Sequence, residues 1–218
     1  MNMINADPRE AARYLGYRGT EPDETISALI LQCINEVNAA AVPRTVHERF
    51  PLSFSEEEGT FRIANLRLKS RSLRRNLAGC DEVYLFAATI GIAVDTLIRR
   101  AALMDAAKGL VMQAAAAAVI EAFCDEENKI LRDISAKEGL FLRPRYSPGY
   151  GDLSLDCQRD LLSLLKAQRT IGLTVTDSGL MVPVKSVTAI IGISPIPTAC
   201  HLEGCEACGK TNCAFRRN

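Results

Sequence analysis

Between Asp23 and Val37 apolar residues return every three or four positions, at Ile26, Leu29, Ile30, Ile34 and Val37, and that spacing predicts an amphipathic helix. A shorter helix opens at Asp7-Pro8 and runs to Tyr14, with Gly16 and Gly19 closing it. The pattern then changes period. Thr45 to Phe54 and Thr60 to Leu66 read as extended segments joined by the acidic turn Glu56-Glu57-Glu58-Gly59, which predicts a β-hairpin, and Ser70 to Leu77 reads as a short helix.

Glu82 to Thr89 is a compact run of strand formers followed by Gly91 and by a helical pattern from Ala93, so a strand, a tight turn and a helix are expected in sequence. Asp105 to Lys137 contains no proline, is rich in Ala, Leu, Glu and Lys, and stops before Gly139, which predicts one long helix. A loop rich in Gly, Pro and Tyr follows from Leu142 to Asp152. Leu155 to Gln168 is again helical, with Gly172 as its stop. Leu173 to Thr176 and Val184 to Gly192 read as strands joined through the Asp177-Ser178-Gly179 turn.

Both element types occur, without strict βαβ alternation. The fold class expected is therefore α+β, with a mainly antiparallel sheet and packed helices. Pro195 and Pro197 separate this body, residues 1–195, from a cysteine-rich module over residues 196–218.

Composition narrows the function. The 26 Lys and Arg balance 26 Asp and Glu, so no global field draws nucleic acid or an anionic membrane. The N-terminus lacks an apolar leader, and no stretch approaches about 18 uninterrupted apolar residues, so a cytoplasmic protein is expected. Cys33, Cys80, Cys124 and Cys157 are scattered singly through apolar surroundings, as buried free thiols are.

Cys200, Cys205, Cys208 and Cys213 crowd into fourteen residues with Gly204, Gly209 and Asn212 between them. Four thiolates around one centre suit a tetrahedral zinc ion or an iron–sulfur cluster, and a compact single loop favours the cluster. The ten residues Arg143 to Asp152 hold two arginines, two tyrosines, two prolines and two glycines. Proline stiffens such a loop, glycine permits close approach, Arg can take a carboxylate through two hydrogen bonds, and Tyr can stack on a purine. Glu121 lies on the long helix beside the small residues Ala117, Ala118 and Cys124, which leaves room for a ligand next to its carboxylate.

Arg145-x3-Gly149-Tyr150 resembles the signature of the S-adenosylmethionine-binding activation domain of cobalamin-dependent methionine synthase. Glu121-Ala122-Phe123, Tyr14 to Arg18, Ala88 to Gly91 and Lys185 to Ile190 are similar to further parts of that family, so the resemblance runs from about residue 6 to 195. One departure is Ser154, which stands where the family's signature has proline. The resemblance implies an α+β fold around a curved, mainly antiparallel sheet. It also implies a reactivation component that binds S-adenosylmethionine for reductive methylation of cob(II)alamin carried by a corrinoid-binding methionine synthase or corrinoid protein. Turnover by this chain alone is not expected, because its sequence shows no evident corrinoid site, and an electron donor is a further candidate partner.

By the same resemblance Arg145 would pair with the methionyl carboxylate, the Tyr146 backbone would bond the adenine, Gly149 and Tyr150 would shape the pocket, and Glu121 would meet the amino group or ribose. The cysteine module is foreign to that domain in the large enzymes, and its four-cysteine spacing leads to the expectation that it carries a cluster delivering the electron. A second reading is a zinc-tailed protein or nucleic-acid adaptor using the basic stretch Arg62, Arg67, Lys69, Arg71, Arg74 and Arg75. Zero net charge and few aromatic residues count against nucleic acid.

Overall fold

The computed structural model describes residues 3–197. In chain order its elements are α1 (Pro8–Tyr14), α2 (Glu24–Ala40), β1 (Arg44–Phe54), β2 (Thr60–Ile63), β3 (Leu66–Lys69), α3 (Arg71–Asn76), β4 (Glu82–Thr89), α4 (Ile92–Met104) and α5 (Ala106–Lys137). They continue as β5 (Phe141–Leu142), α6 (Cys157–Leu164), α7 (Ala167–Ile171), β6 (Thr174–Val175), β7 (Met181–Val182) and β8 (Ser186–Ser194). The expected α+β class is what the chain adopts.

One sheet of order β3-β2-β1-β4-β8-β5, antiparallel at every junction, divides the molecule into two cores. On one face α1, α2, α4 and α5 pack over Tyr84, Phe86, Ala88, Ala189, Ile191 and Ile193. On the other, α3, α6 and α7 pack over Val83, Leu85, Ala87 and Ile190. Successive strand residues point to opposite faces, so a central strand covered on both sides has no polar positions to alternate with. This is why residues Val83 to Ala88 within β4 read as an unbroken apolar run. Phe61 and Phe86 are wholly buried, and removing such a side chain from water contributes about 1.5–3 kcal/mol each.

Helix starts follow local chemistry. Asp23 and Ser70 accept backbone N–H bonds from Ile26 and Leu73 at 2.8 and 3.0 Å, satisfying donors that a helix leaves unpaired at its N-terminus. Asp105 both ends α4 and caps α5, accepting from Ala107 at 2.8 Å. The two helices then cross so closely that a Cβ on Gly109 would lie 2.6 Å from Ala102 Cα. α5 is long and apolar enough by composition to span a membrane, yet 61% of its most apolar stretch is buried in the fold, which marks a core helix.

Three expectations change. The segment expected as a strand over Thr60 to Leu66 is two strands, β2 and β3, folded back through a tight turn where Ala64 has a positive φ of 51°. The helix expected over Leu155 to Gln168 is broken at Lys166, which adopts φ +50°, and the break lets Ala167 and Ile171 turn into the core. The Asp177-Ser178-Gly179 turn joins β6 to β7 as a separate pair, Thr174 opposite Val182, while β8 pairs with β4 instead. The module over residues 196–218, with Cys200, Cys205, Cys208 and Cys213, lies outside the described residues except for Ile196 and Pro197.

Candidate functional site

Glu121 and Asp125 stand one turn apart on α5, so their carboxylates share a face. The face is met by Arg145, which follows the short edge strand β5. Arg145 Nη2 donates to Glu121 Oε2 at 3.1 Å and to Asp125 Oδ1 at 2.7 Å. The three side chains are 16%, 32% and 43% exposed, so the guanidinium is the innermost charge and Asp125 the outermost. Arg145 Nη1 is buried and has no hydrogen-bond partner among the described residues. A buried donor left unpaired costs about 1–3 kcal/mol, so such a nitrogen is a place where an acceptor from outside gains more than usual. Beneath the triad Cys124 is fully buried, and burial raises its thiol pKa strongly, with the Arg145 charge opposing the rise.

The loop after Arg145 is anchored at both ends. Tyr146 forms an isolated antiparallel bridge with Ile190, its N–H donating to the Ile190 carbonyl at 3.0 Å and its carbonyl accepting from Ile190 at 2.9 Å. The Tyr146 N–H and carbonyl are thus both engaged by the sheet. Gly149, with φ +87°, donates to the Leu153 carbonyl at 2.9 Å and closes the loop, leaving Tyr150 68% exposed at its tip. A Cβ on Gly151 would lie 2.3 Å from Tyr146 Oη, so the backbone there passes against the tyrosine hydroxyl.

Asp152 fastens the far end of the loop to the start of α3. Its carboxylate accepts from Ser70 Oγ at 2.5 Å and from the backbone N–H groups of Arg71 and Ser72 at 2.8 and 3.1 Å. Desolvation pulls its pKa upward, but these bonds together outweigh it and hold the carboxyl down at about 2. Asp152 was not among the residues that the sequence singled out for the site. Its signal was only its place at the end of the Gly-Tyr loop.

Of the two loop arginines, one serves the site and the other the scaffold. Arg143 is buried and donates to the Ala78 carbonyl at 2.8 Å and to Ser194 Oγ at 3.4 Å, tying β8 to the turn after α3. The basic stretch is also largely engaged. Glu57 pairs with Lys69 and Arg67, Glu58 pairs with Arg71, and Arg74 Nη1 donates to the Ser55 and Thr60 carbonyls at 2.8 and 2.6 Å. Cys33, Cys80, Cys124 and Cys157 are free and buried, as their settings predicted. No group of three or more metal-ligating side chains occurs among the described residues.

Comparison with known proteins extends the assignment. The sequence profile described as "Vitamin B12 dependent methionine synthase, activation domain" matches residues 73–202, more than half of the chain. Among solved structures, the "Crystal Structure of the MetH Reactivation Domain bound to AdoHcy" has the same fold at a TM-score of 0.62, with 17% sequence identity over 88% of this chain and 76% of that one. A comparison with curated sequences gave no match. The profile runs from within α3 through β8, a stretch that includes the Arg145 triad and the Gly-Tyr loop, and the chain therefore belongs to the vitamin B12-dependent methionine synthase activation-domain family.

Proposed function

We propose that this chain binds S-adenosylmethionine and presents its methyl group to a cobalamin carried by a separate corrinoid protein in the cytoplasm. The observation that carries the reading is the buried, unpartnered Nη1 of Arg145 beside two partly exposed carboxylates. The methionyl end of the ligand is a carboxylate and an ammonium on one carbon, and this pairing of charges is its complement. Arg145 would take the carboxylate and Glu121 the ammonium. Ala117 and Ala118 keep the helix face beside Glu121 small, while Gly149 lets the loop backbone come close to the adenosine, with Tyr146 and Tyr150 bordering it.

The sulfonium is already an activated donor, so the chain's task is positioning. The methyl–sulfur bond breaks with its electron pair going to sulfur, which becomes a neutral thioether. The cobalamin supplies the reduced metal that accepts the methyl after one electron from a donor. The module over residues 196–218 is proposed to hold an iron–sulfur cluster, or else zinc, through Cys200, Cys205, Cys208 and Cys213, and the cluster would deliver that electron.

Methyl-labelled S-adenosylmethionine, a cob(II)alamin-loaded corrinoid protein and a low-potential reductant test the reading. Label is expected on the corrinoid only when this chain is present. Equal label without it contradicts the proposal. Anaerobically purified protein with stoichiometric zinc and no absorption near 400 nm would remove the electron-carrying role alone.

A further inference from the structure

Two acids converge on one nitrogen of Arg145 and none on the other. Glu121 Oε2 and Asp125 Oδ1 both contact Nη2, while Nη1 is buried without a partner. The two acids differ in place. Asp125 makes the shorter contact, 2.7 against 3.1 Å, and lies nearer the rim, 43% against 32% exposed. A guanidinium can meet a carboxylate along more than one edge, and here one edge remains to be used. A ligand carboxylate arriving at Nη1 brings a third anionic group around a single cation. Like charges at this separation repel, and the acid whose attraction to the guanidinium is most screened by water, the more exposed Asp125, is the one that gives way.

Resting on the reading above, we propose that Asp125 is a specificity residue: the ligand carboxylate displaces it from Arg145, and it turns to the ligand's cationic sulfur. Glu121 stays with the ammonium. The donor carries one positive charge more than the thioether that remains after methyl transfer, so Asp125 favours the donor and lets the product go. Cys124, which lies beneath and is held as a neutral thiol, offers the sulfur no competing charge. Asp125 acts on which ligand is held and touches no reacting bond.

The test compares dissociation constants for S-adenosylmethionine, S-adenosylhomocysteine and an analogue with a primary ammonium in place of the methylsulfonium. They are measured calorimetrically on the full chain and on Asp125→Asn and Glu121→Gln. In the parent chain the donor and the ammonium analogue are expected to bind about tenfold more tightly than the thioether, a factor that corresponds to about 1.4 kcal/mol. Asp125→Asn is expected to cut that ratio to about twofold, chiefly by weakening the two cationic ligands, because asparagine keeps the shape and loses the charge. Glu121→Gln is expected to weaken all three together. Equal binding of donor and thioether by the parent chain, a measurement that needs no variant, overturns the proposal and leaves the binding reading standing. So does an unchanged ratio in a folded Asp125→Asn chain. Absence of binding by any of the three ligands overturns both.

Discussion

Asp152 Oδ1 accepts a 2.5 Å hydrogen bond from Ser70 Oγ, joining the end of the Gly-Tyr loop to the cap of α3, eighty-two residues earlier in the chain. Ser70 itself accepts from Leu73 N, so one hydroxyl serves the helix and the loop together. The loop that carries Arg145 is therefore held by the sheet at Tyr146 and by a helix start at Asp152.

Asp152→Asn is expected to destabilise the fold at neutral pH by roughly 1 kcal/mol, the scale of a lost cap, since the carboxylate is partly solvated. The folded carboxyl titrates at about 2, below its ordinary 3.8, so the stabilisation is present above pH 4 and is lost as pH falls through about 2. Denaturant melts of parent and variant between pH 2 and 7 check this. The stability gap should close towards the acid end, and a gap independent of pH would show that the charge is not what matters.

Gly151→Ala meets two penalties, a clash with Tyr146 Oη at 2.3 Å and a positive φ of 56°. Together they are expected to cost about 1–3 kcal/mol, concentrated in the loop. Adding Tyr146→Phe removes the clash and not the φ, so the double variant should recover part of the loss. A double-mutant cycle on thermal unfolding and ligand affinity measures the coupling. Strictly additive effects would place the two groups apart.

Gly109→Val pushes methyl groups into the α4–α5 crossing, where a Cβ would already lie 2.6 Å from Ala102 Cα. Overpacking of this kind costs about 1–3 kcal/mol, and for a chain of this size about 2–4 °C in Tm per kcal/mol. Calorimetric melting checks it. An unchanged Tm would mean that the helices separate freely there.

Cys33, Cys80, Cys124 and Cys157 are all buried, and burial raises each thiol's pKa. Raised values mean less thiolate at pH 8, and the thiolate is the reactive form. In a chain whose four tail cysteines are serine, a thiol reagent should react only as fast as the fold opens. A fast phase in native conditions would contradict the buried placement.

Much of this was legible in the chain and some was hidden for identifiable reasons. α5 and β4 were plain, one from its uninterrupted helix formers ending before Gly139, the other from an apolar run that only a doubly covered strand sustains. Lys166 hid the break between α6 and α7, because a lysine in a left-handed conformation looks like any helical lysine until packing demands the turn. Pairing was the weaker inference, since β8 could join β6 by sequence proximity or β4 by burial, and burial decided it. At the site, Arg145 and Glu121 stood out through their family spacing, and the structure brings them together. Asp125 and Asp152 were silent because an acid on a helix face and an acid after a glycine are commonplace, and only the fold gives them partners. The two loop arginines looked alike in sequence, and depth alone separated the strut Arg143 from Arg145.

The central claim is that Arg145 holds the carboxylate of S-adenosylmethionine, and the most direct measurement is calorimetric titration of that ligand into the full chain and into Arg145→Ala, with circular dichroism confirming the fold of both. Saturable binding by the parent chain, weakened by about 2–5 kcal/mol in the variant as expected for a buried charge left unpaired, is the predicted result. No heat of binding at millimolar ligand, or equal affinity in a folded Arg145→Ala chain, would contradict it.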